Sequence, residues 1–192
     1  MAETPSLLTK RAAIAAALKR GGYVIGGRHG RTRYEQAAVE RDNRKNDMFD
    51  FAKCETQRQR SDFGQTKLQF IGDQFRRAQL PLGRAYTSRY CRAIESAACF
   101  VDKAEPTQKL SNEAEVGLNP DNKPRTLAFF AEKPAPGKNY FMMAYGGIFW
   151  EATGFVVQEA RTVVLDPDSP KTLVARIAPN DWVAIADAAR RE

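Results

Sequence analysis

The chain has 192 residues, 43% of them hydrophobic, and a formal net charge of +7. That length can bury a full core and fits one domain, while the composition excludes a disordered or fibrous chain. No apolar stretch reaches the length of a membrane span, and the basic excess favours acidic partners: phosphorylated small molecules, nucleic acid or an anionic surface.

Thr4-Pro5 reads as an N-cap followed by a first-turn proline. Leu7, Ile14 and Leu18 mark one helical face, and Gly21-Gly22 ends it. The start itself fits two readings. Ala2-Glu3-Thr4-Pro5 matches the stub left by cleavage at a small-residue site, with a start Met added. That reading, preferred here, places the protein in the periplasm or outside the cell; the alternative is a native cytoplasmic N-terminus.

Tyr23 to Gly27 is apolar without alternation, as in a strand buried on both faces, and it delivers Arg28-His29-Gly30 at its C-terminal end. Arg31 to Arg60 is crowded with charge of both signs, which suits a lid, a pocket wall or a solvated loop with a short helix. Ser61-Asp62 then opens a helix with Leu68, Ile71 and Phe75 inward. Pro81 and Gly83 make a turn before a strand from Arg84 to Thr87, and Ser88 caps a helix from Tyr90 to Val101 with Ile94, Ala97 and Ala98 inward.

After a polar connection from Glu105 to Pro120, a helix near Arg125 to Glu132 is stopped by Pro134, Pro136 and Gly137. A second continuous apolar strand, Asn139 to Tyr145, turns at Gly146-Gly147 into a short helix through Thr153. Arg161 to Leu165 and Thr172 to Ile177 form an antiparallel hairpin at the sheet edge, and Asn180 caps a last helix with Trp182 and Ile185 inward. With no internal repeat or linker, residues 1–192 read as a single α/β domain. It is a three-layer sandwich with a mostly parallel central sheet and helices on both faces.

There are three cysteines. Cys91 and Cys99 fall on one predicted helix; at a rise of roughly 1.5 Å per residue they lie about 12 Å apart, too far to bridge. A disulfide would therefore join Cys54 to one of them. The other reading is three buried or half-buried free thiols.

The ordered motifs point further. Arg28-His29-Gly30 follows a buried strand, with Thr32 close behind. Thr56-Gln57-Arg58 precedes Ser61-Asp62 and Gly64, and Thr87-Ser88-Arg89-Tyr90-Cys91-Arg92-Ala93 is followed by Glu95, Ser96 and Ala97. Pro136-Gly137-x-Asn139 leads into a strand, and the chain closes on Arg176-Ile177-x-Pro179-x-Asp181-Trp182. Together they resemble the histidine phosphatase (phosphoglycerate-mutase-like) superfamily over nearly the whole chain. Arg-His-Gly alone would say little; the ordered set is specific.

The resemblance implies an attack by neutral His29 on phosphorus, a phosphohistidine intermediate and its hydrolysis by water. Arg28 and Arg92 would neutralise the non-bridging oxygens with their planar forks. Thr32 and Arg58 are further candidates to line the anion. For Arg58, as for Arg89, solvation or surface pairing is the ordinary role in so basic a chain. A lone histidine is ordinarily a residue without chemistry, but its flanking arginine, its strand end and the distant Arg92 motif reverse that expectation.

One position departs from the pattern. The family's second histidine falls where this chain has Tyr145, and no other histidine replaces it. A phenol donates a hydrogen bond but brings no positive charge, and losing one preorganised donor costs about 10²–10³ in rate. The resemblance therefore implies a weak phosphoric-monoester hydrolase, with Tyr145 partly compensating. The alternatives are a non-catalytic anion-binding or regulatory protein using the same pocket, and an enzyme of different chemistry built around Tyr145. Glu113 and Glu115 lie where some members keep their general acid, but no motif fixes either, and surface carboxylates are the plainer reading. The expected ligand is a small phosphorylated or other anionic molecule, with no cofactor and no metal. Cys54 and Cys91 lack ligand spacing, and no pattern supports nucleic-acid binding.

Overall fold

Val24–Arg28 lacks alternation because both of its faces are covered: it forms β1, inside a six-stranded sheet and buried through Gly27. The computed structural model describes residues 10–111 and 122–191. In chain order they form α1 (Arg11–Arg20), β1 (Val24–Arg28), α2 (Gln36–Lys45), α3 (Asp62–Arg77), β2 (Leu82–Ser88), α4 (Cys91–Ala97) and β3 (Glu105–Thr107). There follow α5 (Asn122–Phe130), β4 (Asn139–Ala144), α6 (Gly146–Thr153), β5 (Thr162–Asp166), β6 (Ser169–Ile177) and α7 (Asp181–Ala189).

The sheet order is β3-β2-β4-β1-β5-β6. The first four strands run parallel, and β5 and β6 complete the sheet as an antiparallel hairpin on its edge. Alternate residues of β4 serve opposite faces. On one face Phe141 meets Phe75 of α3, which also packs on Trp182 of α7. On the other, Tyr140 packs with Tyr86, which meets Phe129 of α5, while Phe130 of α5 stacks on Phe149 of α6. The buried phenylalanines among these rings contribute about 1.5–3 kcal/mol each relative to exposure. The result is the expected three-layer α/β sandwich with a mostly parallel sheet. Among the described residues no helix is long and apolar enough to cross a membrane.

Several local expectations change. Thr4, Pro5 and Leu7 lie outside the described residues, and the described helix begins at Arg11. Gly83 is no turn residue but part of β2, at a register shift between Leu82 and Arg84, where an absent side chain eases an irregular pairing. The helix expected over Tyr90 to Val101 is regular only to Ala97. Ile94 is 37% exposed and Ala98 is exposed as well, because α4 turns Arg92, Ala93, Ser96 and Ala97 inward. The inward face of that helix therefore carries a charged and a polar residue that an apolar pattern does not mark. Asn180 makes no side-chain cap; instead Asp181 accepts the Ala178 amide at 3.0 Å and the Arg11 guanidinium at 2.6 Å. The cysteine question is resolved by a Cys54–Cys91 disulfide, with Cys99 buried and free.

Candidate active site

Because β1, β2 and β4 are parallel, their C-terminal ends meet on one rim, where open α/β sheets place ligands. Arg28 is level with Ala144, and the His29 amide donates to the Ala144 carbonyl at 3.1 Å. His29 and Tyr145 therefore leave adjacent strands side by side. Thr87 pairs with Met143 on the other side of β4, so β2 carries Ser88 to the same rim and α4 starts there with Arg92 in its first turn. Two glycines make room. A Cβ on Gly30 would run into the Gly64 carbonyl and Leu68 of α3, and one on Gly146 would sit 2.9 Å from Arg28 Nη1.

His29 is 1% exposed, and its Nδ1 lies 2.7 Å from the Gly30 carbonyl oxygen. A carbonyl only accepts, so Nδ1 carries the proton and Nε2 keeps the lone pair. Burial holds the imidazole pKa well below its usual 6.5. The Arg92 charge adds to that; the Gly30 bond opposes it less strongly than burial and Arg92 act, and Arg28 and Arg58 add smaller lowering effects. The ring is thus neutral at physiological pH, with a basic nitrogen set among three guanidinium groups.

Arg28 donates from Nη1 to the Val157 carbonyl at 2.9 Å and lies 3.7 Å from Glu159. Arg92, 2% exposed, donates from Nη1 to Glu40 Oε2 at 2.8 Å. Arg58 is half-buried; it lowers the pKa of Arg28 and of Arg92 as well as that of His29. Among the described residues none accepts a hydrogen bond from the buried Nε of Arg28, Arg58 or Arg92. Buried donors normally have partners, and an anion between these side chains would accept from them.

The other expected residues are placed as follows. Thr32 is buried, and its contribution is a backbone bridge to Arg60. Tyr145 precedes α6, is 8% exposed, and meets the Tyr90 ring edge-on at 5.7 Å. Arg89 packs over Phe51 at 4.5 Å. Glu113 and Glu115 lie outside the described residues.

Sequence reasoning missed Glu40 and Tyr90. Glu40 is the buried residue of a polar helix, and no spacing in Arg31 to Arg60 marks it. Tyr90 is fully buried and organises the cover of the site: Phe49 and Phe51 meet its ring edge-on, and Arg92 lies over it at 4.2 Å. The disulfide fixes this cover to α4 beside Arg92, and Gln57 Oε1 accepts the Cys91 amide at 2.9 Å. Among the described residues no group of three or more His, Cys, Asp or Glu could hold a metal ion.

A sheet of this order, with helices on both faces and Arg-His-Gly at the end of β1, has the phosphoglycerate-mutase-like fold of the histidine phosphatases. No family model matches the sequence, and no curated protein does. Among solved structures the chain is similar to TTHB049 of Thermus thermophilus, at 17% identity with a TM-score of 0.53, covering 81% of this chain and 99% of that one. It is similar to the protein histidine phosphatase SixA complexed with tungstate (16% identity, TM-score 0.53, 83% and 98% covered). A third is the mycobacterial glucosyl-3-phosphoglycerate phosphatase Rv2419c complexed with VO3 (14% identity, TM-score 0.52, 76% and 92% covered). At identities this low the likeness establishes the fold.

Proposed function

We propose that the protein is a phosphoric-monoester hydrolase that works through a phosphohistidine on His29 and turns over slowly because Tyr145 stands where a second histidine is expected. The observation that carries the reading is the Nδ1 contact with Gly30, which leaves Nε2 of a neutral ring as the nucleophile among three arginines. The Nε2 lone pair forms a bond to phosphorus as the ester P–O bond breaks, and the leaving oxygen takes up a proton. Water then cleaves the P–N bond and releases phosphate. Arg28, Arg58 and Arg92 stabilise the charge on the phosphoryl oxygens, and Tyr145 gives a neutral donor where a cation would do more.

That SixA and Rv2419c are phosphatases, complexed with tungstate and VO3, supports this reading. The Cys54–Cys91 bridge supports an oxidising compartment such as the periplasm. The near-complete burial of His29 and Arg92 favours one alternative, a protein that binds a small anion in the same pocket without turning it over. Incubation with p-nitrophenyl phosphate, read as released phenol and as acid-labile label on the protein, separates the two. Labelling and turnover in the wild type, both lost in His29→Ala, are expected. Equal background rates in the two proteins overturn the hydrolase, and phosphate stabilisation without turnover supports the alternative.

A further inference from the structure

We propose that Glu40 of α2 is a positioning residue that clamps Arg92 so that the Nε edge of its guanidinium faces the anion beside His29; this rests on the anion-pocket reading above. Glu40 is held at three points. Its Oε2 accepts from Arg92 Nη1 at 2.8 Å and from the Arg58 amide at 2.6 Å, and its Oε1 accepts from Arg44 Nη2 at 3.0 Å. Arg44 is itself fixed, donating to the Tyr90 hydroxyl at 2.8 Å and lying over Phe49 at 4.3 Å. A carboxylate bound this way cannot swing aside as a gate.

A guanidinium offers an end-on fork through its two terminal nitrogens and a side-on fork through Nε and Nη2. Glu40 takes Nη1, the corner that the side-on fork does not use. The Nε donor on the other edge is buried without a protein acceptor. The Tyr90 ring beneath the guanidinium, 4.2 Å from Cζ, restricts its plane while Glu40 restricts its roll. An arginine fixed before the anion arrives gives up less rotamer freedom on binding.

Glu40 also brings a negative charge near an anion site, so charge and geometry predict opposite results. Isothermal titration of the full oxidised chain with inorganic phosphate distinguishes them, with thermal unfolding of each variant as the fold control. Wild type, His29→Ala and Arg92→Ala come first. If the wild type binds no phosphate, or Arg92→Ala binds it equally well, the pocket reading falls and the Glu40 proposal with it, before any Glu40 variant is compared.

Given a pocket that depends on Arg92, Glu40→Asp keeps the charge but loses reach, and phosphate affinity should fall by about tenfold or more. Glu40→Gln keeps an acceptor for Arg92 without the charge, and should stay within about threefold of wild type. The Glu40→Asp loss should vanish in an Arg92→Ala background, a non-additivity that general loosening of the fold does not produce. Unchanged affinity in Glu40→Asp overturns the proposal, as does a loss that persists without Arg92. So does binding more than about tenfold tighter in Glu40→Gln, because Glu40 would then be a competing anion. That last comparison decides by itself should Glu40→Asp not fold.

Discussion

Replacing Cys54 with serine removes a bridge between residues 37 positions apart that ties the cover of the candidate site to the start of α4. In the chain-entropy account, closing a loop of that length takes about 4 kcal/mol from the unfolded chain's freedom, and the native protein loses that much stability when the bridge goes. Cys54 is half-buried, so serine adds little further cost. The Gln57–Cys91 hydrogen bond remains as a weaker tie between that segment and α4. For a chain of this size about 1 kcal/mol moves the melting temperature by roughly 2–4 °C. Cys54→Ser should therefore melt about 8–16 °C below the oxidised wild type. Calorimetry with and without dithiothreitol measures this, and the reduced wild type should match the variant. Cys99 is buried and free, so reductant acts only through the bridge. Oxidised, reduced and Cys54→Ser proteins that melt within about 2 °C of one another would refute the reasoning.

Two predictions bear on the imidazole and its neighbour. Tyr145→His should raise kcat for p-nitrophenyl phosphate by about 10²–10³, the worth of one preorganised donor; an unchanged kcat would show that Tyr145 is not the limiting departure. His29 has a depressed pKa in the folded state, so the unfolded chain binds its proton first as the pH falls. Its contribution is complete above the unfolded value near 6.5 and is lost as the pH drops toward the folded value. Between pH 7 and pH 5.5 the wild type should thus lose more stability in urea titrations than His29→Asn, whose amide can still donate to Gly30. Glu40, lowered from 4.5 because three donors outweigh its burial, loses its contribution only below that window. Equal slopes for the two proteins would contradict the buried neutral imidazole.

How much of this was legible in the sequence depended on whether a residue's role is local. Unbroken apolar runs such as Tyr23 to Gly27 and Asn139 to Tyr145 announce strands covered on both faces, and parallel pairing then brings Arg28, His29, Tyr145 and Arg92 to one rim. The rotation of α4 was not legible, because Arg92 and Ser96 take inward positions that an apolar count gives to Ile94 and Ala98. Glu40 was hidden for the same reason: a charged residue in a charged segment gives no periodic signal, and only the fold shows that its partner lies 52 positions away. Cys54 was half-legible. Helix geometry separates Cys91 from Cys99, but the choice of Cys91 over free thiols depends on how the segment from Met48 to Gln57 lies over Tyr90.

In the proposed hydrolase, slow turnover would have two separable sources. Burial would serve His29 as nucleophile, since a desolvated ring among arginines stays neutral and keeps its Nε2 lone pair. The same burial restricts entry, because Phe49 and Phe51 lie against Tyr90 and the disulfide fixes their segment next to Arg92. In that reading the tyrosine would act on a different step, leaving the transition state with less positive charge around the phosphoryl oxygens. Loosening the cover with Cys54→Ser should therefore change kcat/KM with little effect on kcat, whereas Tyr145→His should raise kcat and kcat/KM alike. If the cover alone were limiting, releasing it would recover turnover with Tyr145 still in place, and the tyrosine would be a donor suited to this site rather than a defect in it.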